Sequence, residues 1–202
     1  MSSRTPLKAP QQPRRAAALL LIDWISDWRM AGGAQLRRQA EQVLPAAAQL
    51  LAGARRHGVP VIYANDNRGQ WRSDFRTVLA ESRAAGTAAA AITDGLAPAP
   101  EDYFVLKPKH SAFHATPLAL LLQHLHTEVV VLAGVAGNQC VLASAIDAHM
   151  RDLRVIVAAD ACASLTAAAN TAAMTQCRAF GCGVQRSASV RWRSLARRGK
   201  TD

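Results

Sequence analysis

The sequence predicts an α/β fold in which a parallel β-sheet carries helices on both faces. Short apolar runs of strand length alternate along the chain with longer segments of helical character, an order that is typical of parallel sheets. The apolar runs lack polar alternation, which indicates strands buried on both faces. The chain has 202 residues, of which 50% are hydrophobic, and therefore suits one domain with a large core.

Each predicted strand is bounded by polar or turn-forming residues. The first ends at Asp23, and the second has Pro60 near its start, where a missing N–H group is tolerated. The predicted strands cover residues 16–22, 59–63, 103–106, 128–133, 153–158 and 184–189.

Helix signals fill the intervals between these strands. Pro45 is predicted to open a second segment within the first helix, and Gly58 ends that helix. Thr116 and Pro117 suit the N-cap and the first position of a later helix. The predicted helices cover residues 35–57, 84–91, 117–126, 138–150 and 167–180.

The net charge of +10 lies mainly at the two ends of the chain. Residues 1–15 carry +4 and residues 186–202 carry +5, which leaves +1 for residues 16–185. We predict a flexible basic tail over residues 1–15, one folded domain over residues 16–190 and a second basic tail over residues 191–202. Basic tails on a neutral domain favour solvated ends over specific nucleic-acid binding.

Composition argues against other classes of protein. No apolar run reaches the ~20 residues that cross a membrane, and the first run is followed by no signal-peptide cleavage site. The four cysteines are too few for a disulfide scaffold and form no zinc-binding pattern. We expect a cytoplasmic protein without a membrane partner.

Three chemically active residues follow predicted strands. Asp23 follows the first strand, Lys107 the third, and Cys140 lies in the turn after the fourth. Carboxyl ends of parallel strands share one edge, where ligands bind. A helix N-terminus and a nearby lysine lower a thiol pKa, and an acid within reach can shuttle a proton to a leaving amine. Each residue alone also fits a structural role: a cap, a solvated lysine or a core thiol.

Several segments resemble the isochorismatase-like cysteine hydrolases. They are Leu-Leu-Ile-Asp at 20–23, Lys-Pro-Lys-His-Ser-Ala-Phe at 107–113 followed by Thr-Pro-Leu at 116–118, Gly-Val-Ala-Gly-Asn-Gln-Cys-Val at 134–141, and Asp-Ala-Cys-Ala-Ser at 160–164. They stand in the family's order, and the resemblance covers residues 16–190. It implies a Rossmann-like, three-layer α/β sandwich and a homo-oligomer of two or four chains.

The same resemblance implies roles at the site. Asp23, Lys107 and Cys140 would form a catalytic triad. The peptide bond between Val135 and Ala136 would be cis, and the backbone amides of Ala136 and Cys140 would form an oxyanion hole.

The sequence also departs from the family. Gly137 stands where relatives usually have threonine. Nicotinamidases of the family hold a metal with histidines in the loop after the second strand, but residues 65–75 contain none. Asp66 alone cannot form a three-ligand site, so we expect no metal, no cofactor and a substrate other than nicotinamide. Whether Asp66 contributes to any ion site stays open.

Further residues are assigned by position. The six histidines are interpreted as structural or solvated, and Cys162, Cys177 and Cys182 as core thiols. Trp71, Arg72 and Phe75 are candidates for the wall of the substrate pocket. The start of a helix at the protein surface is an equally favoured interpretation of these three residues. The full set of candidate pocket residues is Trp28, Asn67, Trp71, Arg72 and Phe75.

The sequence thus predicts a cysteine hydrolase that cleaves a small amide or related C–N bond through a thioester. One alternative is vinyl-ether hydrolysis of the isochorismate type, which in the family need not use a cysteine. Another is a catalytically idle protein whose basic tails bind an acidic partner. The substrate itself cannot be read from the sequence.

Overall fold

The computed structural model describes residues 17–196 and contains one six-stranded sheet in the order β3-β2-β1-β4-β5-β6. Every neighbouring pair of strands is parallel, as predicted. The tail predicted for residues 1–15 lies outside the described residues. The strands are β1 (Ala17–Ile22), β2 (Val61–Asp66), β3 (Tyr103–Lys107), β4 (Val129–Val135), β5 (Arg154–Ala163) and β6 (Gly183–Gln185).

The strand order places a crevice between β1 and β4. The chain builds β2 and β3 on one side of β1, then returns to build β4, β5 and β6 on the other side. Loops at the carboxyl ends of β1 and β4 therefore diverge, which is where ligands bind in open parallel sheets.

Helices cover both faces of the sheet, which confirms the predicted three-layer architecture. Leu19 and Leu21 of β1 pack into one hydrophobic layer, while Leu20 and Ile22 pack into the other. Within residues 17–196, no helix is long and apolar enough to span a membrane. The helices are α1 (Gly33–Arg56), α2 (Phe75–Ala84), α3 (Thr87–Gly95), α4 (Leu118–His124), α5 (Leu142–His149), α6 (Ala167–Ala179) and α7 (Trp192–Leu195).

Two predicted boundaries were wrong in the first half. Helix α1 continues through Pro45, because Ala40, Ala47 and Leu50 on both sides of it are buried and tertiary packing stabilises the helix despite the missing hydrogen bond. The helix predicted for residues 84–91 is instead split between α2 and α3. Gly86, with φ 109°, separates them in a conformation that favours glycine.

The folded domain extends beyond the predicted boundary at residue 190. Residues 191–196 were predicted as basic tail, but they contain α7, whose Trp192 and Leu195 are buried. The indole of Trp192 lies over Gly53 of α1, where an added Cβ would lie 2.5 Å from Nε1. Burial of these two apolar side chains explains why this basic segment folds onto the domain.

Candidate active site

The three predicted catalytic side chains meet at the carboxyl edge of the sheet. Lys107 Nζ lies 2.8 Å from Asp23 Oδ2 and donates a hydrogen bond to Cys140 Sγ at 3.4 Å. Asp23 and Cys140 each affect the pKa of the other. Lys107 therefore contacts both of the other residues, and the acid and the thiol are coupled electrostatically.

Asp23 is held by the end of β2. Its N–H group donates to the Ala64 carbonyl at 2.9 Å, and its Oδ1 accepts a hydrogen bond from the Asp66 N–H group at 2.7 Å. Its φ of 52° lies in the left-handed region, which aspartate tolerates better than most residues. These contacts leave Oδ2 for the lysine.

Lys107 ends β3 and has no exposed surface. A buried ammonium group needs partners on each of its protons. Besides Asp23 and Cys140, Nζ contacts the Lys109 carbonyl at 3.3 Å and Asp66 Oδ2 at 3.6 Å. The lysine is therefore buried and held by these contacts, and the alternative of a solvated lysine is wrong.

Cys140 lies in a tight turn between β4 and α5. The Val135–Ala136 peptide bond is cis, as the family resemblance implied, and a π-helical segment over Gly137–Val141 follows it. The N–H groups of Gln139 and Val141 both donate to the Ala136 carbonyl. These bonds fix the backbone around the thiol, and the oxyanion hole at Ala136 and Cys140 stays a prediction.

A second set of contacts supports this turn from β5 and α6. Ser164 Oγ accepts a hydrogen bond from the Asn138 N–H group at 3.1 Å, and Asn170 binds both Ser164 and the Cys162 carbonyl. A Cβ at Gly137 would lie 2.1 Å from Asn170 Oδ1. The absence of a threonine at position 137 therefore has a steric reason in this chain.

Burial dominates the electrostatics of the thiol. Burial and the Asp23 carboxylate raise the pKa of Cys140 to about 12, and the Lys107 ammonium only partly opposes them. The expectation of a lowered thiol pKa was therefore wrong, because sequence does not reveal how deeply the sulfur lies.

The pKa values of Asp23 and Lys107 are both raised, so both groups retain a proton more readily than they do in water. Burial raises the pKa of Asp23 despite the opposing charge of Lys107. Burial lowers the pKa of Lys107, but Asp23, Cys140 and Asp66 outweigh it and the net pKa is raised. A basic carboxylate beside a protonated thiol is suited to take the sulfur's proton, and the two groups titrate as a unit.

A cavity of about 480 Å³ opens above the triad. Asp23 and Cys140 line its floor, and Trp28 lines its wall as predicted. The apolar part of the wall also includes Ile25, Met30 and Leu36. The polar part is formed by Ser26, Asp27, Arg29, Asp66, Arg68, His110 and Gln139.

The other four predicted pocket residues lie elsewhere. Asn67 is buried, and its Oδ1 accepts a hydrogen bond from the Gly69 N–H group in a tight turn. Phe75 is buried and stacks on Phe104 with ring centroids 4.7 Å apart. Trp71 is 80% exposed and, with Arg72, borders a separate surface depression. The predictions for these four residues were therefore wrong.

Sequence reasoning missed two features of the cavity. His110 was interpreted as structural or solvated, yet its Nδ1 lies 3.6 Å from Cys140 Sγ. Arg68 also lines the cavity and donates to Asp27 Oδ2 at 2.5 Å and to Glu81 Oε2 at 3.3 Å. His110 lies three residues after Lys107 in the sequence, but no sequence pattern indicates that its ring faces the sulfur.

A second depression in the described part of the chain lacks a comparable set of reactive side chains. A depression of about 630 Å³ lies between α1 and residues 187–194, but no cysteine, aspartate or glutamate lines it. Within residues 17–196, no three histidine, cysteine, aspartate or glutamate side chains lie close enough to hold a metal ion. Independence from metal stays a prediction.

Comparison with known proteins places the chain in a family. An isochorismatase domain model matches residues 17–189. The uncharacterised isochorismatase family protein YaaI of Bacillus subtilis is 36% identical over 158 residues, which are 78% of this chain and 86% of the relative. Maleamate amidohydrolase of Pseudomonas putida is 32% identical over 151 residues, covering 71% of this chain and 70% of the relative.

A solved structure agrees with these matches. An isochorismatase family protein from Desulfovibrio vulgaris superposes with a TM-score of 0.71 at 26% identity, covering 87% of this chain and 96% of that one. The parallel sheet, the meeting of the triad and the domain match lead to one conclusion: the chain belongs to the isochorismatase family.

Proposed function

We propose that this protein is a cysteine hydrolase that cleaves a small amide or related C–N bond through a thioester on Cys140. The observation that carries this proposal is that Lys107 contacts both Asp23 and Cys140, while the acid and the thiol line the floor of one cavity. The likeness to maleamate amidohydrolase, a protein named for amide hydrolysis, supports it.

The first half of the reaction forms the acyl-enzyme. Asp23 takes the proton from Cys140 Sγ, and the thiolate attacks the substrate carbonyl carbon. The negative charge moves to the carbonyl oxygen, which backbone amides of the turn at Ala136 and Cys140 stabilise. The C–N bond then breaks, and protonated Asp23 gives its proton to the leaving nitrogen.

The second half releases the acyl group. Water attacks the thioester carbon, the C–S bond breaks, and the carboxylic acid leaves as Cys140 regains a proton. Lys107 stays protonated throughout, because Asp23, Cys140 and Asp66 surround its Nζ. Its charge stabilises the thiolate each time it forms.

The charge of the cavity favours a compact substrate with at most one negative charge. Arg68 is paired with Asp27 and Glu81, and Lys107 with Asp23, which leaves Arg29 as the cation of the lining for which no ion pair is found within residues 17–196. An isochorismate-type substrate carries two carboxylates, more than this one arginine compensates. Vinyl-ether hydrolysis also requires no nucleophile, so it leaves the placement of Cys140 without a purpose.

A screen of small amides and carbamoyl compounds, read by ammonia or amine release, tests the proposal. The parent protein should release amine from at least one compound, and the Cys140→Ala variant from none. Equal turnover by the two proteins would exclude the cysteine mechanism. Salt-sensitive retention on nucleic acid that is lost with residues 1–15 and 197–202, without any turnover, would instead favour the binding protein with basic tails.

A further inference from the structure

A histidine faces the nucleophile from the solvent side. His110 follows β3, its ring lines the cavity, and its Nδ1 lies 3.6 Å from Cys140 Sγ. Lys107, which has no exposed surface, contacts the same sulfur and is paired with Asp23. The sulfur therefore lies between a buried ion pair and an exposed imidazole.

The two halves of the proposed reaction make different demands on a base. Acylation needs a base in contact with the buried thiol, and Asp23 meets that need. Deacylation needs a base that meets water arriving from the cavity, after the sulfur has lost its proton to the departed amine. Asp23 is held by the Asp66 N–H group at Oδ1 and by the buried Lys107 at Oδ2, whereas His110 is exposed and its ring contacts the sulfur itself.

Neutral imidazole is suited to the second demand. In its neutral form an imidazole has one ring nitrogen without a proton, and that nitrogen can accept a proton from water. A carboxylate that keeps an ammonium group at 2.8 Å is a weaker base toward water than its burial alone would suggest. His110 is also exposed, so water reaches its ring directly.

We propose that His110 is the general base for hydrolysis of the thioester and the group that returns a proton to Cys140. This inference rests on the proposed function. Nδ1 takes one proton from the attacking water as its oxygen bonds to the thioester carbon. The tetrahedral intermediate collapses, the C–S bond breaks, and the electron pair stays on sulfur. Protonated Nδ1 then gives its proton to Sγ, which restores the thiol and releases the carboxylic acid.

A structural role for His110 makes a different prediction. If Nδ1–H merely donated to the sulfur, it would stabilise the thiolate, and its removal would slow acylation. If His110 is the base for deacylation, its removal leaves acylation unchanged and the acyl-enzyme accumulates. Rates measured separately for the two halves therefore separate the two roles.

p-Nitrophenyl acetate separates the halves without knowledge of the natural substrate. Its leaving group needs no protonation, so release of p-nitrophenolate reports acylation. Mass spectrometry of the protein, with peptide mapping, reports the acetyl group on Cys140 and its loss. The His110→Gln variant should acylate at the parent rate and lose the acetyl group at least about 100-fold more slowly.

His114→Gln is the matched control, because His114 is an exposed histidine of the same loop that does not line the cavity. It should match the parent in both steps. Added imidazole should restore deacylation in the His110→Ala variant, which a misfolded protein would not show. Parent-like deacylation in His110→Gln, or slowing confined to acylation, would overturn the inference. Failure of the parent to become acetylated on Cys140 would instead overturn the proposed function itself.

Discussion

Lys107 Nζ and Asp23 Oδ2 lie 2.8 Å apart, although their strands β3 and β1 are separated by β2. The pair bridges the end of β2, where the Asp66 N–H group donates to the other oxygen of Asp23. A buried ammonium group without a carboxylate would be strongly destabilising, so the two residues depend on each other. Their contact also fixes the orientation of the acid toward Cys140.

Cys140→Ala should abolish amine release with little effect on the fold. The side chain is small, so its loss should lower the free energy of unfolding by about 1 kcal/mol. Cys182→Ala is the control, since Cys182 is a buried thiol outside the cavity and its loss should leave turnover unchanged. Turnover assays with urea unfolding of both variants test this, and measurable turnover by well-folded Cys140→Ala would contradict it.

The charges beside the thiol should change its alkylation in opposite directions. The Asp23 carboxylate raises the thiol pKa and the Lys107 ammonium lowers it. Asp23→Asn should therefore speed alkylation of Cys140 by iodoacetamide while it abolishes turnover, and Lys107→Met should slow alkylation. Each change should be about tenfold, the effect of one pKa unit. Peptide mapping over time measures both rates, and the buried Cys182 should stay unlabelled where a variant is folded, which matters for Asp23→Asn because it leaves the Lys107 ammonium without its carboxylate. Faster labelling of Cys140 without labelling of Cys182 in Lys107→Met would refute the assignment.

The sequence was sufficient to predict that Asp23, Lys107 and Cys140 lie together because of a general property of parallel sheets. Asp23 follows β1, Lys107 ends β3 and Cys140 follows β4, and the carboxyl ends of parallel strands lie at one edge. The order of the strands was not needed to bring them together. The same property did not extend to the loops, whose paths depend on contacts far away in sequence.

The errors at the site share that cause. Phe75 is buried because it packs against Tyr63 of β2 and Phe104 of β3, residues that no local pattern connects to it. His110 reaches the sulfur because of the path of the chain after Lys107, not because of any spacing rule. The raised pKa of Cys140 depends on burial depth, which follows from the packing of the whole domain.

Turnover should not require a metal ion. Asp66, which ends β2 and lines the cavity, lies 3.6 Å from Lys107 Nζ, and a cation placed there would be repelled by the ammonium group. Exhaustive treatment with chelator should leave the rate of amine release unchanged. Loss of activity on chelation, followed by recovery with one equivalent of zinc or iron, would contradict this prediction.

Stability should fall at alkaline pH because the buried thiols keep their protons in the folded state. Burial raises the pKa of Cys162 from 9.0 to about 12. Between these values the unfolded chain has lost this proton and the folded chain has kept it, so the free energy of unfolding falls as pH rises. One such thiol contributes up to about 1.4 kcal/mol per pH unit.

The Cys162→Ala variant isolates this effect. Its free energy of unfolding should be lower than that of the parent at about pH 8. This difference should become smaller as the pH rises above 9.0, the pKa of the thiol in the unfolded chain. Val157→Ala, a truncation of a buried and non-titrating residue in the same strand, should keep a constant gap. Urea unfolding across this pH range measures how far the free energy of unfolding of each variant lies below that of the parent. A difference that stays constant for Cys162→Ala would show that folding does not change the pKa of this thiol.

The side chain of Asn170 should prevent any residue larger than glycine at position 137. A Cβ at position 137 would lie 2.1 Å from Asn170 Oδ1 and 3.0 Å from Ser164 Oγ. Asn170 is itself bound to Ser164 and to the Cys162 carbonyl, so it cannot move away freely. Gly137→Ala should therefore lower the free energy of unfolding by about 1–3 kcal/mol, as overpacking of a core does. It should also reduce turnover, because Ser164 holds the Asn138 N–H group two residues before Cys140.

A double-mutant cycle distinguishes this clash from a general need for glycine. Asn170→Ala alone should destabilise the fold, because it removes two hydrogen bonds. The double variant Gly137→Ala/Asn170→Ala should lose less free energy of unfolding than the sum of the two single losses, because the shortest clash is then absent. Gly183→Ala is the control, as its Cβ would meet its nearest neighbour at an ordinary 3.4 Å and should cost little. Additive free energies of unfolding in the cycle would mean that Asn170 does not impose glycine at position 137, and that the backbone of the turn itself does.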